Sequence, residues 1–332
     1  MEVMFLAEMK DRTLADISPQ MVTIAKQLSA QWGGVLSAVL FGAEVGACAR
    51  TLISLGVAKV YVAEHPALEY YQPEAYLGAL SQLVTDVQPQ AFLLGHTALG
   101  QDLAPRLAAR LAAGLVTNCV ALQVIPETGR LQMIRPVFGG KARGMYLSGD
   151  GAIQLATIAQ KVFEPALPDE SNTGAIVNFA STIDAGSFKV QVVKRRTEDT
   201  DGMRLEEAKV IVAGGRGLGS AEAFVQLKEL AGILDGCIGA SRAAVDNGWL
   251  AGRLQIGLTG KVVSPQLYIA VGISGAIQHM SGCLAAKTIV AINRDPEASI
   301  FTMAQVGVVA DWREIIPPLV ATCRRLLHQD QE

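Results

Sequence analysis

"SPQLYIAVGISGAIQHMSG" (264–282) runs from an apolar stretch into glycine, serine, glutamine and histidine. "LYIAVG" (267–272) is short, apolar and rich in branched side chains, as a strand covered on both faces must be. The residues after it have helical spacing, with Ser274 and Gly275 at the change of period. Such a junction is either a tight serine-capped turn or a loop whose backbone N–H groups point at an anion. A second junction of the same form lies upstream. "VIVAGGRGLGSAEAF" (210–224) carries a strand into Gly214, Gly215, Gly217 and Gly219 and then into a helix. Its spacing is not the full dinucleotide fingerprint, and no acidic residue stands in the ribose position. Open α/β sheets bind ligands at the carboxyl ends of their strands, so two such junctions in one sheet point to one ligand.

Two more strands end in polar residues expected on the same rim. "TIVAIN" (288–293) closes with Asn293, and "GVVAD" (307–311) with Asp311. Taken singly, Asn293 reads as a turn residue and Asp311 as the N-cap of a helix from Trp312. Between the junctions lie polar loops at 238–249 and 254–263, holding Ser241, Arg242 and Thr259. Arg242 is equally readable as a solvated charge and Thr259 as a turn hydroxyl. Helices are expected at 220–234, 276–286 and 312–327.

The first part of the chain alternates "VMFLA" (3–7), "VLSAVLF" (35–41), "VAKVYVA" (57–63) and "AFLLG" (91–95) with helical stretches. Within 18–34, Ser18 reads as N-cap, Pro19 as a first-turn proline and Gly33 as the stop. Residues 102–114 have the same helical spacing. Strand–helix alternation implies a parallel sheet. From about 116 the runs crowd together with turns between them, which suggests antiparallel additions. Residues 164–185 read as loop, 188–196 as one more strand, and 197–208 as an acidic linker. The expected fold class is therefore α/β. An N-terminal, mostly parallel sheet domain with antiparallel additions (1–196) is followed by a C-terminal doubly wound parallel sheet domain (209–332).

The chain has 332 residues, half of them apolar, and a formal net charge of −3, so no basic field calls for nucleic acid. Its five cysteines are odd in number and scattered, without metal spacing to the four histidines, which suits reduced thiols. The N-terminus lacks a signal-peptide pattern, and no run approaches the ~20 apolar residues of a membrane span. A cytoplasmic protein is expected.

"GGRGLGS", "GASRAAVDNGW", "GLTGKVVSPQLYIAVGISGAIQHMSG" and "KTIVAINRDPEASIF" together resemble the C-terminal FAD domain of electron-transfer flavoprotein α subunits, over roughly residues 209–320. The N-terminal half, with "LLGHTALGQDLAPRLAARL" (93–111), is similar to that family's first domain. The resemblance implies a non-covalent FAD lined by Arg216, Ser241, Arg242, Ile256, Gly257, Leu258, Thr259, Ser274, Gly275, Ala276, Ile277, Gln278, His279, Asn293 and Asp311. It puts Arg242 and His279 near the isoalloxazine, Thr259 toward N5, Asn293 and Asp311 at the adenosine end, and the glycine loops on the pyrophosphate. A guanidinium and an imidazole donor near the ring would stabilise its reduced forms. No nucleophile, general base or metal is needed, so the chain reads as a redox carrier rather than a stand-alone enzyme. Where many members have glutamine before the threonine or serine at N5, this chain has Leu258.

The resemblance further implies a heterodimer with a β subunit that holds AMP or, in bifurcating members, a second FAD. Electrons would come from an acyl-CoA or related flavoprotein dehydrogenase and leave singly to a quinone oxidoreductase or ferredoxin-type acceptor. The linker would let the FAD domain swivel, and His96 would lie in a loop at the dimer interface. One alternative is a bifurcating subunit coupling NADH oxidation to ferredoxin and an acyl-CoA dehydrogenase. Others are a stand-alone NAD-dependent dehydrogenase and a nucleotide-binding scaffold without redox chemistry.

Overall fold

The computed structural model describes all residues except 11, 141, 150–152, 184, 185, 187, 191, 194–203 and 330–332. The chain divides into two compact units, Met1–Arg195 and Arg196–Glu332.

The first unit opens with β1 (Glu2–Ala7), a short hairpin of β2 (Met9–Lys10) and β3 (Thr13–Leu14), and α1 (Ile17–Trp32). Then come β4 (Val35–Gly42), α2 (Gly46–Ser54), β5 (Lys59–Glu64), α3 (Pro73–Val87), β6 (Ala91–Gly95) and α4 (Ala98–Arg110). β7 (Leu115–Cys119), β8 (Ala121–Val124), β9 (Leu131–Val137), β10 (Ala142–Leu147), β11 (Gln154–Ile158) and β12 (Ala175–Asn178) complete it. Seven strands form one sheet in the order β12-β5-β4-β1-β6-β11-β7, and every pairing in it is parallel. The antiparallel additions are β8, β9 and β10, a separate three-stranded sheet.

Strand residues alternate between the two faces of a parallel sheet, and both faces are covered. Val3, Phe5 and Ala7 of β1 join the core with α1 and α2. Met4 and Leu6 join the opposite core with α3 and α4. That double covering is why the strand reads as an unbroken apolar run. Fully burying a side chain such as Phe5 contributes about 2–3 kcal/mol.

Several expectations need correction. Ser18 is not the N-cap of α1; it lies inside the helix, fully buried. Its hydroxyl donates to the Glu8 carbonyl (2.9 Å) and accepts the Glu8 N–H (2.9 Å), tying the end of β1 to the helix. Gly33 does end α1, in the left-handed region at φ 62°. α4 starts a turn earlier than expected because the Thr97 hydroxyl accepts the Gly100 N–H. The segment read as loop contains β12, an edge strand on β5 whose outward face is exposed, so it shows no apolar run. Residues 188–190, 192 and 193 form no strand, and the rest of the strand expected there (191 and 194–196) lies outside the described residues. Of the linker reading, 197–203 lie outside the described residues, while Leu205 and Ala208 are buried in the second unit's core.

The second unit contains β13 (Val210–Gly214), α5 (Ala223–Ile233), β14 (Cys237–Ala240), α6 (Arg242–Asp246), β15 (Leu267–Val271) and α7 (Ile277–Met280). It ends with β16 (Thr288–Asn293), β17 (Val306–Val309) and α8 (Trp312–Gln329). Its five strands run in the order β14-β13-β15-β16-β17, all parallel. One face packs on α5 and α8 through Phe224, Leu227, Trp312 and Ile316. The other face is covered by Ile256, Val263, Met280, Cys283 and Ile300, which lie in loops and short turns. The helix expected at 276–286 shrinks to α7, because Gly282 lies against the backbone of Gly257 where a side chain would not fit. The loop expected from 238 opens instead with β14, whose Gly239 makes room for the Ile256 side chain.

Each sheet has a switch point, where the chain passes from one side of its first strand to the other. In the first unit it lies between β1 and β6, and in the second between β13 and β15.

Candidate functional site

At the second switch point the two glycine-rich junctions lie against each other. Gly217 N–H donates to Gly272 O (3.0 Å), and Gly215 N–H to Val271 O (2.9 Å). A Cβ on Gly215 or Gly217 would run into the backbone at Gly272, and Gly272 itself sits at φ 63°. Glycine is required here by close approach and by backbone conformation together. Gly275 (φ 86°) turns the chain into α7, and a Cβ there would strike the backbone N of Ile300.

Beyond that turn, the consecutive N–H groups of Ser274 through Gln278 donate to no acceptor among the described residues. A run of unpaired donors around a positive-φ glycine is a concavity suited to anionic oxygens. It opens into a cleft of about 570 Å³, within the range of small-molecule sites.

The cleft is lined by Arg216, Ser241, Arg242, Ile256, Gly257, Leu258, Thr259, Ser274, Ala276, Gln278, His279 and Asn293, so the structure brings these expected residues together. Three others stand apart. Gly275 shapes the turn from beneath, and Ile277 is 44% exposed and outside the lining. Asp311 lines a small adjoining cavity of about 30 Å³ with Gly217, Asn293 and Trp312. Its carboxylate accepts the Arg313 N–H (2.9 Å), capping α8, and that bond holds its pKa below the usual carboxylate range.

The charges are mostly positive. Arg216, Arg242 and Arg294 line the cleft, with Asp295 as the carboxylate among the lining residues. Arg242 reaches Asp246 one turn along α6 (3.4 Å), and both side chains are mainly solvent-exposed. Such a pair is worth about 0.5 kcal/mol and restrains the guanidinium little. Asn293 donates to Ile273 O (2.9 Å) and accepts the Asp295 N–H (3.0 Å), so it ties the end of β16 to the strand beside it.

Sequence reasoning did not single out Gln255, Arg294 or Asp295. Gln255 Nε2 donates to the Thr259 hydroxyl oxygen (3.0 Å). Because that hydroxyl accepts in this bond, its own proton is free to donate elsewhere. The signal was the four-residue spacing inside one loop, which becomes a contact only once the loop closes, as Lys261 N–H donating to Gln255 O (2.7 Å) makes it do.

His279 is the buried ionisable member of the set, 7% exposed. Its Nδ1 lies 3.1 Å from Ile256 O, and its Nε2 2.9 Å from the hydroxyl of Tyr268, which is itself fully buried. Burial pushes the imidazole pKa down to about 4, only partly offset by the Ile256 carbonyl. The expectation made His279 a donor beside a ring; in this arrangement it is neutral at pH 7, with both nitrogens engaged by protein.

The first switch point also opens into a cavity, of about 740 Å³, but with different walls. Glu8, just past β1, is 8% exposed and accepts the Thr97 hydroxyl (2.8 Å). Burial raises its pKa to about 7, against the lowering by Thr97. At the start of α2 the Val45 N–H is taken by Glu64 (2.9 Å). Tyr70, Tyr71 and Tyr76 also line it, together with Lys10, Arg12, Glu44 and Glu69, so charges of both signs meet there. His96 lies beside this unit's sheet, its Nδ1 2.9 Å from the Thr157 hydroxyl and its pKa lowered by burial and by Arg135.

Among the described residues no cluster could hold a metal ion, and no helix is long and apolar enough to cross a membrane. The five cysteines are free thiols, four of them buried.

Comparison with known proteins agrees with this division into two parts. Residues 3–184 match the electron transfer flavoprotein domain family, and residues 204–284 the electron transfer flavoprotein FAD-binding domain family. The chain is 39% identical to the electron transfer flavoprotein subunit alpha of Thermoanaerobacterium thermosaccharolyticum, over 98% of both chains. It is 40% identical to the protein of that name from Bacillus subtilis, again over 98% of both. Against Protein FixB of Azotobacter vinelandii the identity is 40%, over 82% of this chain and 76% of the other.

Proposed function

The chain belongs to the electron transfer flavoprotein alpha-subunit family, and from that premise we propose that its second unit holds one FAD, non-covalently, in the cleft at the β13/β15 switch point. The observation that carries this reading is the arch of unpaired N–H groups from Ser274 to Gln278, flanked by Arg216, Arg242 and Arg294. Diphosphate oxygens are acceptors only and doubly charged. They fit N–H groups and guanidinium forks, and they fit a floor where a Cβ would collide.

When bound there, FAD would supply the redox chemistry of a carrier, two-electron uptake and one-electron release. The residues of the chain bind and tune. The glycine junctions and the 274–278 arch take the pyrophosphate, while Asn293 and Asp311 serve the adenosine end. Ile256 through Thr259, Ser241 and Arg242 surround the ring. Arg242 favours negative charge on the ring, and the cleft amplifies that effect by excluding water. Thr259 accepts from Gln255 and so would have its proton free to donate toward N5.

The first unit packs on a β subunit that carries AMP or a second FAD, and the pair works as a heterodimer. It takes electrons from a flavoprotein dehydrogenase of the acyl-CoA type and delivers them to a quinone oxidoreductase or ferredoxin-type acceptor. The first unit's switch point fits a diphosphate less well, because its lining sets Glu8, Glu44 and Glu69 against Lys10 and Arg12 and its helix start is already occupied by Glu64.

The test is to purify the full chain with its co-expressed β subunit, record the visible spectrum, and release the flavin by denaturation. One FAD per α chain, with absorbance lost in an Arg216→Ala, Arg242→Ala double variant, is expected. A colourless complex that takes up no added FAD would sink the reading.

A further inference from the structure

A histidine lining a ligand cleft is commonly held by a carboxylate, which favours its charged form. His279 is held instead by a carbonyl and a tyrosine. The Ile256 carbonyl can only accept, so Nδ1, 3.1 Å away, must carry a proton. In a neutral ring Nε2 is then a lone pair, and the Tyr268 hydroxyl at 2.9 Å donates to it. Both partners are fixed by the fold, Tyr268 inside β15 and Ile256 at the loop whose next N–H donates to Lys261 O (3.2 Å).

The surroundings decide between the neutral and the charged ring. On the core side His279 meets Tyr268 and Cys283; burial keeps the tyrosine well above its usual pKa and pushes the thiol up to about 12. Neither can become a counter-anion. On the open side Arg216, Arg242 and Arg294 line the same cleft, and none of them can act as an anionic partner to an imidazolium. Asp295, the carboxylate there, is exposed and accepts the Glu297 N–H (3.0 Å). A protonated Nε2 would also force the Tyr268 hydroxyl to accept, leaving its own proton only the weak acceptor Cys283 Sγ.

We propose that Tyr268 is a positioning residue that, with the Ile256 carbonyl, locks His279 as a neutral imidazole protonated on Nδ1, so that positive charge at a bound ring comes from the arginines alone. This rests on the flavin reading of the cleft only in its last clause. The lock itself belongs to the folded chain. It gives the histidine a fixed orientation and removes a titrating charge from beside the ring, so that the electron affinity of the cofactor does not follow pH through this residue.

The test is histidine ¹⁵N NMR at pH 7 on the full-length chain, which has four histidines, with the His279 signals assigned by substituting the others singly. Expected are a protonated-type shift at Nδ1 and an imine-type shift at Nε2, the tautomer less favoured in free histidine. Protonation at Nε2, or at both nitrogens, overturns the proposal. In Tyr268→Phe the Nε2 lone pair loses its donor, and the His279 titration should move up by about one unit. In FAD-loaded protein the same variant should show a more positive flavin potential than wild type at mildly acid pH. An unmoved titration overturns the proposal, and so does a potential that stays the same while the titration moves. If the variant fails to fold, the wild-type tautomer still decides. A chain that binds no FAD would defeat the flavin reading and leave the tautomer measurement standing. Bound FAD beside a cationic His279 would do the reverse.

Discussion

The chain builds the same topological feature twice and finishes it in opposite ways. At the β1/β6 switch point the ends of the strands are closed by side chains. Glu8 takes the Thr97 hydroxyl, Thr97 caps α4, and Glu64 takes the N–H at the start of α2. At the β13/β15 switch point glycine leaves the backbone bare, and the N–H groups of Ser274 to Gln278 find no acceptor among the described residues. The first arrangement sets a buried acid, Glu8, among charges of both signs, while the second is lined by three arginines and one exposed carboxylate. The sheet supplies a position, and the residues at its strand ends decide whether that position stabilises the fold or binds an anion.

The sharpest way to break this comparison is to add a side chain at each turn. In Gly275→Val the new atoms meet the Ile300 backbone from a left-handed conformation. The arch cannot keep its shape, so FAD per chain should fall below detection, with a loss of at least about 3 kcal/mol from the second unit. In Gly100→Ala the Cβ meets the Gly95 carbonyl, again backbone. The first unit should lose comparable stability, while FAD per folded chain stays at the wild-type value. Flavin absorbance against folded protein measures both. Lost flavin in the Gly100 variant would mean that the two switch points are not functionally separate.

Acidity separates the two units with opposite sign. Glu8 shifts from a usual 4.5 to about 7 on folding, so between those values the folded unit holds more protons than the unfolded chain. Its stability is therefore greatest below pH 4.5, declines as pH rises through the window and levels off above 7. His279 shifts from 6.5 to about 4, so there the unfolded chain holds the extra proton. Stability of the second unit is full above pH 6.5 and is lost as pH falls toward 4. Each group accounts for about 3 kcal/mol across its full window. Hydrogen exchange at pH 5 and pH 8, resolved by unit, should show the first unit gaining and the second losing at the lower pH. Glu8→Gln should flatten the first trend and His279→Gln the second. Trends of the same sign in both units would show that these buried groups do not dominate.

What the sequence disclosed follows the same division. Strands buried on both faces read correctly because double covering leaves their middles apolar, as in "VMFLA" and the "IVAI" (289–292) of β16. The glycine junctions were legible because Gly215, Gly217 and Gly272 have no substitute at that approach. β12 was not legible, since an edge strand with an exposed face carries no apolar run. β14 was hidden by its length and by Gly239. Ser18 misled because a serine ahead of a helical pattern signals a cap, and only the fold shows it bonded to Glu8. The charge on His279 was illegible for a deeper reason. It depends on burial and on Tyr268, eleven residues away on the neighbouring strand.

The smallest expected effect falls at Leu258, where the family resemblance leads to an expectation of glutamine. Leu258 is 70% exposed at the cleft, held by its own N–H donating to Gln278 O (2.7 Å), a bond indifferent to the side chain. Leu258→Gln should therefore change stability by less than about 0.5 kcal/mol. A second amide donor next to Thr259 should raise the flavin potential modestly, because Gln255 already occupies the threonine oxygen and leaves the new amide free to face the ring. Spectroelectrochemistry on the two proteins, with thermal unfolding alongside, separates the outcomes. A stability change without a shift in potential would mean that Leu258 packs on a neighbour rather than facing the cofactor. The cleft's reach would then stop short of this loop.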